Sequence, residues 1–179
     1  KNIKEIKSEF NWEIDSESAD LKYDLIFADL PIGVKANEKF LFNEKIKVGF
    51  EYNHLAKCLL KLDDNGRLFS IFPGSIFWGE KQRRIVEAIE KKGFYCDTGI
   101  LCEGLWDSIT SVNLYLVSFS KKKNDKIFVG KVKENNIDSL FNNFNNNDSE
   151  DIEVGGWLEK NSFRSYDTSL LEKQIKNTG

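Results

Sequence analysis

Apolar residues recur along the middle of the chain in patterns that predict alternating strands and helices. Runs of strand length, rich in β-branched and aromatic residues, occupy residues 25–28, 68–72, 95–101, 112–119 and 126–132. Two intervening segments, residues 50–62 and 81–92, carry apolar residues at helical spacing. Asn65-Gly66 and Gly93 follow these segments and are typical helix stop signals. The predicted order is strand, helix, strand, helix and then three strands.

This order predicts an α/β protein with a mixed sheet. Strands that alternate with helices run parallel, because a parallel pair needs a crossover helix to return the chain. The first two strands are continuous apolar runs, as expected for strands covered on both faces. Residues 102–111 join two strands without a helix, which predicts an antiparallel hairpin. We therefore expect the strand at 112–119 to insert antiparallel between the strands at 68–72 and 95–101.

Composition and charge favour a folded domain without a general affinity for nucleic acid. The chain has 179 residues and 40% of them are hydrophobic, which is enough to bury a core. A formal net charge of -3 gives no overall basic footprint, so any contact with nucleic acid needs local clusters of Lys and Arg. Three scattered cysteines, Cys58, Cys96 and Cys102, predict free thiols in a reducing compartment. No stretch approaches the about 20 apolar residues of a membrane span, and we expect a cytoplasmic protein.

Composition also divides the chain. Residues 1–20 are charged and form an N-terminal lead-in, and residues 21–133 form the α/β domain. The Asn-rich residues 134–155 are predicted to be a polar linker, and residues 156–179 a tail that leads to a following domain. Since the chain begins at Lys1 and contains no Met, we interpret it as a piece of a longer protein.

The stretch YDLIFADLPIG, residues 23–33, closes a buried strand with an acid and a proline. The only two prolines, Pro31 and Pro73, each follow a predicted core strand, at the edge where open α/β sheets bind ligands. A proline or glycine can simply end a strand. Asp29 favours a functional site, because a carboxylate beside a buried apolar run must be hydrogen-bonded or face a cleft.

These residues resemble a known enzyme family. FADLPIG resembles the [N/D]-P-P-[Y/F/W] motif of amino-methyltransferases, which methylate an exocyclic amine with S-adenosylmethionine. In adenine-specific DNA methyltransferases this motif is followed by a helix, a turn, a strand and a proline loop. That segment is resembled by residues 59–93, LLKLDDNGRLFSIFPGSIFWGEKQRRIVEAIEKKG. GLWDSITSVNLYLVSFSKK is similar to a segment of the modification subunits of type I restriction-modification systems. The matches cover residues 23–133 in order.

The resemblance implies a fold and an activity. The fold would be the C-terminal half of a Rossmann-like class I S-adenosylmethionine-dependent methyltransferase, with a mixed sheet that ends in an antiparallel β-hairpin. The activity would be methyl transfer from S-adenosylmethionine to the exocyclic amine of adenine in DNA. Sequence specificity would reside in a specificity subunit or a C-terminal recognition domain. Alternatives are methylation of another amine, in an RNA base or a protein glutamine, or a non-enzymatic α/β interaction module.

The resemblance also implies roles for residues. The Asp29 side chain and the Leu30 carbonyl would accept hydrogen bonds from the amine, while Pro31 stiffens the turn. The family usually has a second proline at the place of Leu30 and a base-stacking aromatic at the place of Ile32. Trp106, in the substrate-binding segment with Thr110, would supply the missing ring, or else the pocket has lost its base and the domain is degenerate. The alternative for Trp106 itself is a half-buried loop anchor.

The cofactor site is the larger departure. The family builds it from a glycine-rich turn and an acidic residue that precede the matched segment, whereas residues 1–20 contain no glycine. We therefore expect the main S-adenosylmethionine site to lie upstream and this chain to be inactive alone. A sheet that lacks the strands before this turn and this acidic residue would expose the edge of its first strand and favour a homodimer. One histidine, His54, on an apolar helix face and three scattered cysteines predict core packing and no metal site.

Overall fold

The computed structural model describes residues 21–34, 39–43, 45–102, 112–146 and 154–160. These residues form a six-stranded sheet, a two-stranded ribbon and four α-helices. In chain order the strands and helices are β1 (Tyr23–Ala28), β2 (Lys39–Phe40), β3 (Lys47–Val48), α1 (Phe50–Leu60), β4 (Leu62–Pro73), α2 (Ser75–Trp78), α3 (Glu80–Lys91), β5 (Tyr95–Cys102), β6 (Leu114–Ser120), β7 (Lys126–Val132), α4 (Ile137–Asn146) and β8 (Gly155–Glu159). A short 3-10 helix, Leu41–Asn43, lies between β2 and β3.

The sheet is mixed, with the strand order β1-β4-β6-β5-β7-β8. β1 pairs parallel with β4, and β5 pairs parallel with β7. β6 lies between β4 and β5 and is antiparallel to both, which confirms the predicted insertion of the hairpin strand. β1, β4, β5 and β7 therefore all run in one direction, with β6 and the edge strand β8 opposed to them.

Helices α1 and α3 cover one face of the sheet. Alternate residues of β4, Leu68 and Phe72, are fully buried there, as a strand's period of two dictates. The main core contains apolar residues from α1, α3 and the sheet, including Leu55, Leu59, Leu62, Ile85, Ile89 and Phe119. Both helices lie where their apolar spacing predicted them, because each can bury its apolar stripe only against this face.

A second, smaller core lies on the opposite face. Ile100 of β5 and Phe128 of β7 pack there against Leu140 of α4, with Phe144 beside them. α4 falls inside residues 134–155, which were predicted to be a polar linker. Its apolar residues lie at Ile137, Leu140, Phe141 and Phe144, a helical spacing that the many asparagines concealed. The end of the same range enters β8, which pairs with β7.

The start of β4 differs from the sequence prediction. α1 ends at Leu60, so Asn65-Gly66 lies inside β4 and does not stop the helix. Tyr23 pairs with Leu62 but Leu25 pairs with Arg67, so β4 bulges between these pairs. A Cβ at Gly66 would lie 2.6 Å from the carbonyl oxygen of Tyr23, so this glycine allows the two backbones to approach.

β1 is less covered than its apolar sequence predicted. Among the described residues it pairs only with β4, so its other edge has no strand beside it. On the face opposite α1, Leu25 is 53% exposed and Phe27 is 74% exposed, with Phe27 stacked on Phe69 at 5.5 Å between ring centroids. The predicted exposed edge is thus present in this part of the chain. None of its helices has the length and apolar character needed to cross a membrane.

Candidate functional site

The candidate site lies at the edge of the sheet where the parallel strands end, which we call the carboxyl edge. β1 ends there at Ala28 and β4 at Pro73, so each proline marks the end of a parallel strand. β6 begins at the same edge, because Leu114 pairs with Pro73. The predicted site turn and the second proline loop are therefore adjacent in space, as the parallel pairing of β1 and β4 requires.

The turn after β1 separates an exposed carboxylate from a buried anchor. Ala28 and Leu30 are buried in the main core, with 9% and 5% of their surface exposed. Asp29, between them, is exposed, and Pro31 and Ile32 are half-buried. Gly33 then adopts a positive φ of 76°, a conformation that favours glycine in a tight turn. The buried Leu30 side chain thus holds the turn while the Asp29 carboxylate faces solvent.

A side chain of β4 fixes the peptide group that precedes Asp29. The Ser70 hydroxyl donates a buried hydrogen bond of 2.6 Å to the carbonyl oxygen of Ala28, and these two residues are also paired in the sheet. This bond holds the last peptide of β1 at a defined position. Sequence reasoning missed Ser70, because only the register of β1 on β4 places its hydroxyl beside the site turn.

The second turn, Pro73-Gly74, connects β4 to α2. The Gly74 amide donates a 3.1 Å hydrogen bond to the Asn113 carbonyl, which fixes the loop to the start of β6. A Cβ on Gly74 would collide with the Trp78 indole and lie 2.7 Å from Cε2 of Tyr115. Gly74 is thus required because the Trp78 ring packs directly on its backbone. The Tyr115 ring meets Trp78 edge to face, with 6.1 Å between centroids.

The histidine, the cysteines and the charged residues of α3 have structural surroundings. His54 is 7% exposed and stacks on Phe50 at 4.1 Å between ring centroids, as core packing predicts. Arg84 pairs with Glu80 at 2.7 Å on the solvated surface of α3. Burial raises the pKa of the Cys58 and Cys102 thiols and raises that of Cys96 to about 12. These thiols are therefore protonated and poorly reactive at neutral pH.

The structure brings together four of the six predicted site residues. Asp29, Leu30, Pro31 and Ile32 form the turn at the carboxyl edge. Trp106 and Thr110 fall in residues 103–111, outside the described residues. Within the described part of the chain, no three His, Cys, Asp or Glu side chains form a group that could hold a metal ion.

The turn at the carboxyl edge presents an exposed carboxylate at a fixed position. An exposed carboxylate beside a fixed turn can orient an amine. A cofactor pocket would need a concave, glycine-lined backbone, and the two glycines of these turns do not provide one. A Cβ at Gly33 would meet no atom within 4 Å, and the space above Gly74 is filled by Trp78. These two glycines therefore do not line a cofactor pocket.

Comparison with solved structures identifies the fold. A protein described as a modification subunit of a type I restriction enzyme, from Vibrio vulnificus YJ016, has a TM-score of 0.61 at 19% identity, covering 77% of this chain and 34% of its own. The methyltransferase subunit of a type I restriction-modification system from Streptococcus thermophilus has a TM-score of 0.60 at 13% identity, covering 94% of this chain and 38% of its own. A Listeria monocytogenes protein described as a class I S-adenosylmethionine-dependent methyltransferase has a TM-score of 0.50 at 16% identity, covering 63% and 37%.

These likenesses confirm the predicted fold, including the resemblance to type I modification subunits. The chain has a mixed α/β fold that superposes on part of these methyltransferase structures, and it spans only about a third of the first two. No family model matches the sequence, and no curated protein matches it significantly.

Proposed function

We propose that this chain is part of a DNA methyltransferase of a restriction-modification system, and that it carries the residues that orient the exocyclic amine of adenine. The observation that carries the proposal is the turn at the carboxyl edge, where Asp29 is exposed while Leu30 is buried beside it. Its position in a fold similar to methyltransferase subunits supports the same conclusion.

The chemistry of the amine explains why this turn is suited to the task. An amine on an aromatic ring is a poor nucleophile, because its lone pair is delocalised into the ring. Acceptors on its two N–H bonds localise that pair as the methyl group approaches. In the proposed mechanism the Asp29 carboxylate accepts from one N–H, and the Leu30 backbone carbonyl accepts from the other. Pro31 and the Ser70 bond to Ala28 limit movement of these acceptors.

The cofactor proposed for the complete enzyme is S-adenosylmethionine, which supplies the electrophilic methyl group. Its main site is proposed to come from polypeptide that precedes this segment in the complete enzyme. We expect the isolated chain to show no useful affinity for S-adenosylmethionine in isothermal titration calorimetry. A micromolar dissociation constant would mean that other residues of this chain build the site.

The test of the proposal is Asp29→Ala in the complete methyltransferase. Loss of an aimed polar group that acts in the transition state should lower kcat about a hundredfold to a thousandfold, with little change in DNA affinity. Asp29→Asn keeps an acceptor and should retain most of the activity. The measurement is transfer of a tritiated methyl group to DNA, with RNA and protein offered in parallel to test those alternative targets.

Asp24→Ala is the matched control, because Asp24 is an exposed carboxylate on β1, the strand that leads into the turn. This variant should keep the wild-type kcat. If Asp29→Ala also keeps it, and only the free energy of unfolding falls by about 1 kcal/mol, Asp29 is a turn-capping residue and the proposed role is wrong. Absence of any thermal stabilisation of the complete protein by S-adenosylmethionine would favour a non-enzymatic interaction module instead.

We also propose that copies of the isolated chain dimerise through the open edge of β1. No strand among the described residues pairs with this edge, and Leu25 and Phe27 are exposed beside it, a combination that promotes strand addition. Phe27→Lys should shift the chain towards monomer in light scattering, because two lysines would then face each other at a pairing edge. Phe141→Lys, on the exposed side of α4, is the control and should leave the mass unchanged.

A further inference from the structure

An exposed tryptophan lies at the carboxyl edge, in the helix that follows the Pro73-Gly74 loop, without a role in the proposed reaction. Trp78 ends α2 and keeps 49% of its surface exposed. One side of the indole packs on the Gly74 backbone and on the edge of Tyr115. Tyr115 is itself 2% exposed, so it is a rigid support. The ring is therefore held in place by buried groups while the rest of its surface faces solvent.

The order of the sheet places this ring beyond the end of β4, the strand that neighbours β1. Ala28 pairs with Ser70. Each of these residues is followed three positions later by a proline, Pro31 and Pro73. Since paired strands lie about 4.8 Å apart, the Pro73-Gly74 loop runs beside the turn. Leu30, Ile76 and Tyr115 all belong to the main core, so both loops are anchored to the same face of the sheet. Trp78 thus lies at the same edge of the sheet as the acceptors.

We propose that Trp78 is the aromatic surface on which an unpaired purine base of the DNA stacks when its amine reaches the Asp29 turn. The inference rests on the proposed function and names a specificity-determining residue for it. Ile32 is aliphatic and offers no π face, so the turn itself cannot stack a base. An indole gives a large, flat contact for any nucleobase, and here it is already oriented before the base arrives.

Equilibrium binding tests the inference independently of methyl transfer. The complete methyltransferase is titrated into a single-stranded oligodeoxynucleotide that contains one 2-aminopurine, whose fluorescence falls when the base stacks. Trp78→Leu keeps an apolar contact on Tyr115 but removes the stacking face, and it should weaken binding about 5-fold to 150-fold with loss of the quenching. Trp78→Phe keeps a π face and should retain most of both signals.

Two controls separate stacking from other effects. Phe141 is 63% exposed on α4, which packs on β7, and two strands separate β7 from β4. The Phe141→Leu variant should therefore bind DNA and quench the fluorescence as the wild type does. Asp24→Ala should also keep the quenching, because Asp24 is an exposed carboxylate on β1 without a role in holding the base. The inference is wrong if Trp78→Leu quenches like the wild type, or if the wild type produces no quenching. Either result leaves the methyl-transfer test of Asp29 unaffected.

Discussion

Replacement of Asp97 by alanine should destabilise the fold more than any other single loss of charge among the described residues. Asp97 is the extra residue at an irregularity in the pairing of β5 with β6. Its side chain is 4% exposed and accepts two hydrogen bonds from Arg67 Nη1, at 2.7 and 2.8 Å. The Ser118 hydroxyl adds a bond of 2.6 Å and the Thr98 hydroxyl one of 3.2 Å. Asp97 therefore connects β4, β5 and β6 on the sheet face that α4 also covers.

The size of the effect follows from burial on each side of the ion pair. Removal of one partner from a fully buried pair costs about 3–5 kcal/mol, because the other charge is left without compensation. The Arg67 side chain is 29% exposed, so water can replace part of what it loses. Arg67 also keeps its contact with the Phe144 ring, at 5.3 Å from the centroid. We expect Asp97→Ala to lower the free energy of unfolding by about 2–4 kcal/mol.

Urea denaturation followed by tryptophan fluorescence measures this change. With a slope of about 2 kcal/mol per M, the unfolding midpoint should fall by about 1–2 M. Asp64→Ala is the matched control, because the distance from Lys121 Nζ to Asp64 Oδ1 is also 2.7 Å while the Asp64 side chain is 90% exposed. That variant should leave the midpoint unchanged, since exposed ion pairs contribute little. Equal midpoints for the two variants would refute the argument that burial determines the contribution.

Two further predictions concern buried groups. Burial raises the pKa of the Cys96 thiol from 9.0 to about 12 and raises the pKa of the Tyr52 hydroxyl, so above about pH 9 the folded state keeps protons that the unfolded state loses. Stability should be constant up to about pH 9 and fall as pH rises from there towards 12; a melting temperature that stays level to pH 11 would contradict this. Gly66→Ala should lower the free energy of unfolding by about 1–3 kcal/mol in urea denaturation, because its Cβ would lie 2.6 Å from the Tyr23 carbonyl oxygen. Gly33→Ala is the comparison, because Gly33 has a φ of 76° but a Cβ there would meet no atom within 4 Å. An equal loss of unfolding free energy in both variants would show that backbone crowding does not decide the cost at Gly66.

The sequence alone predicted most of the architecture. Apolar runs of strand length located β1, β4 and β5, and helical spacing located α1 and α3. The absence of a helix between β5 and β6 predicted the antiparallel strand and its insertion between β4 and β5. The turn at Asp29 was also readable from sequence, since an acid and a proline directly after an apolar run are a local pattern. These features depend on neighbours along the chain, which is why one sequence sufficed.

Tertiary structure decided everything that depends on register between distant segments. Ser70 reaches the Ala28 carbonyl, and Gly74 receives the Trp78 ring, only because particular residues face one another across strands and loops. The same holds for β1, whose apolar sequence predicted cover on both faces, whereas in the described sheet Phe27 is exposed. An apolar run specifies that a surface is to be covered, but the covering segment is chosen by long-range packing. Contacts between residues far apart in the chain leave no pattern within either segment, so only the folded arrangement assigns them.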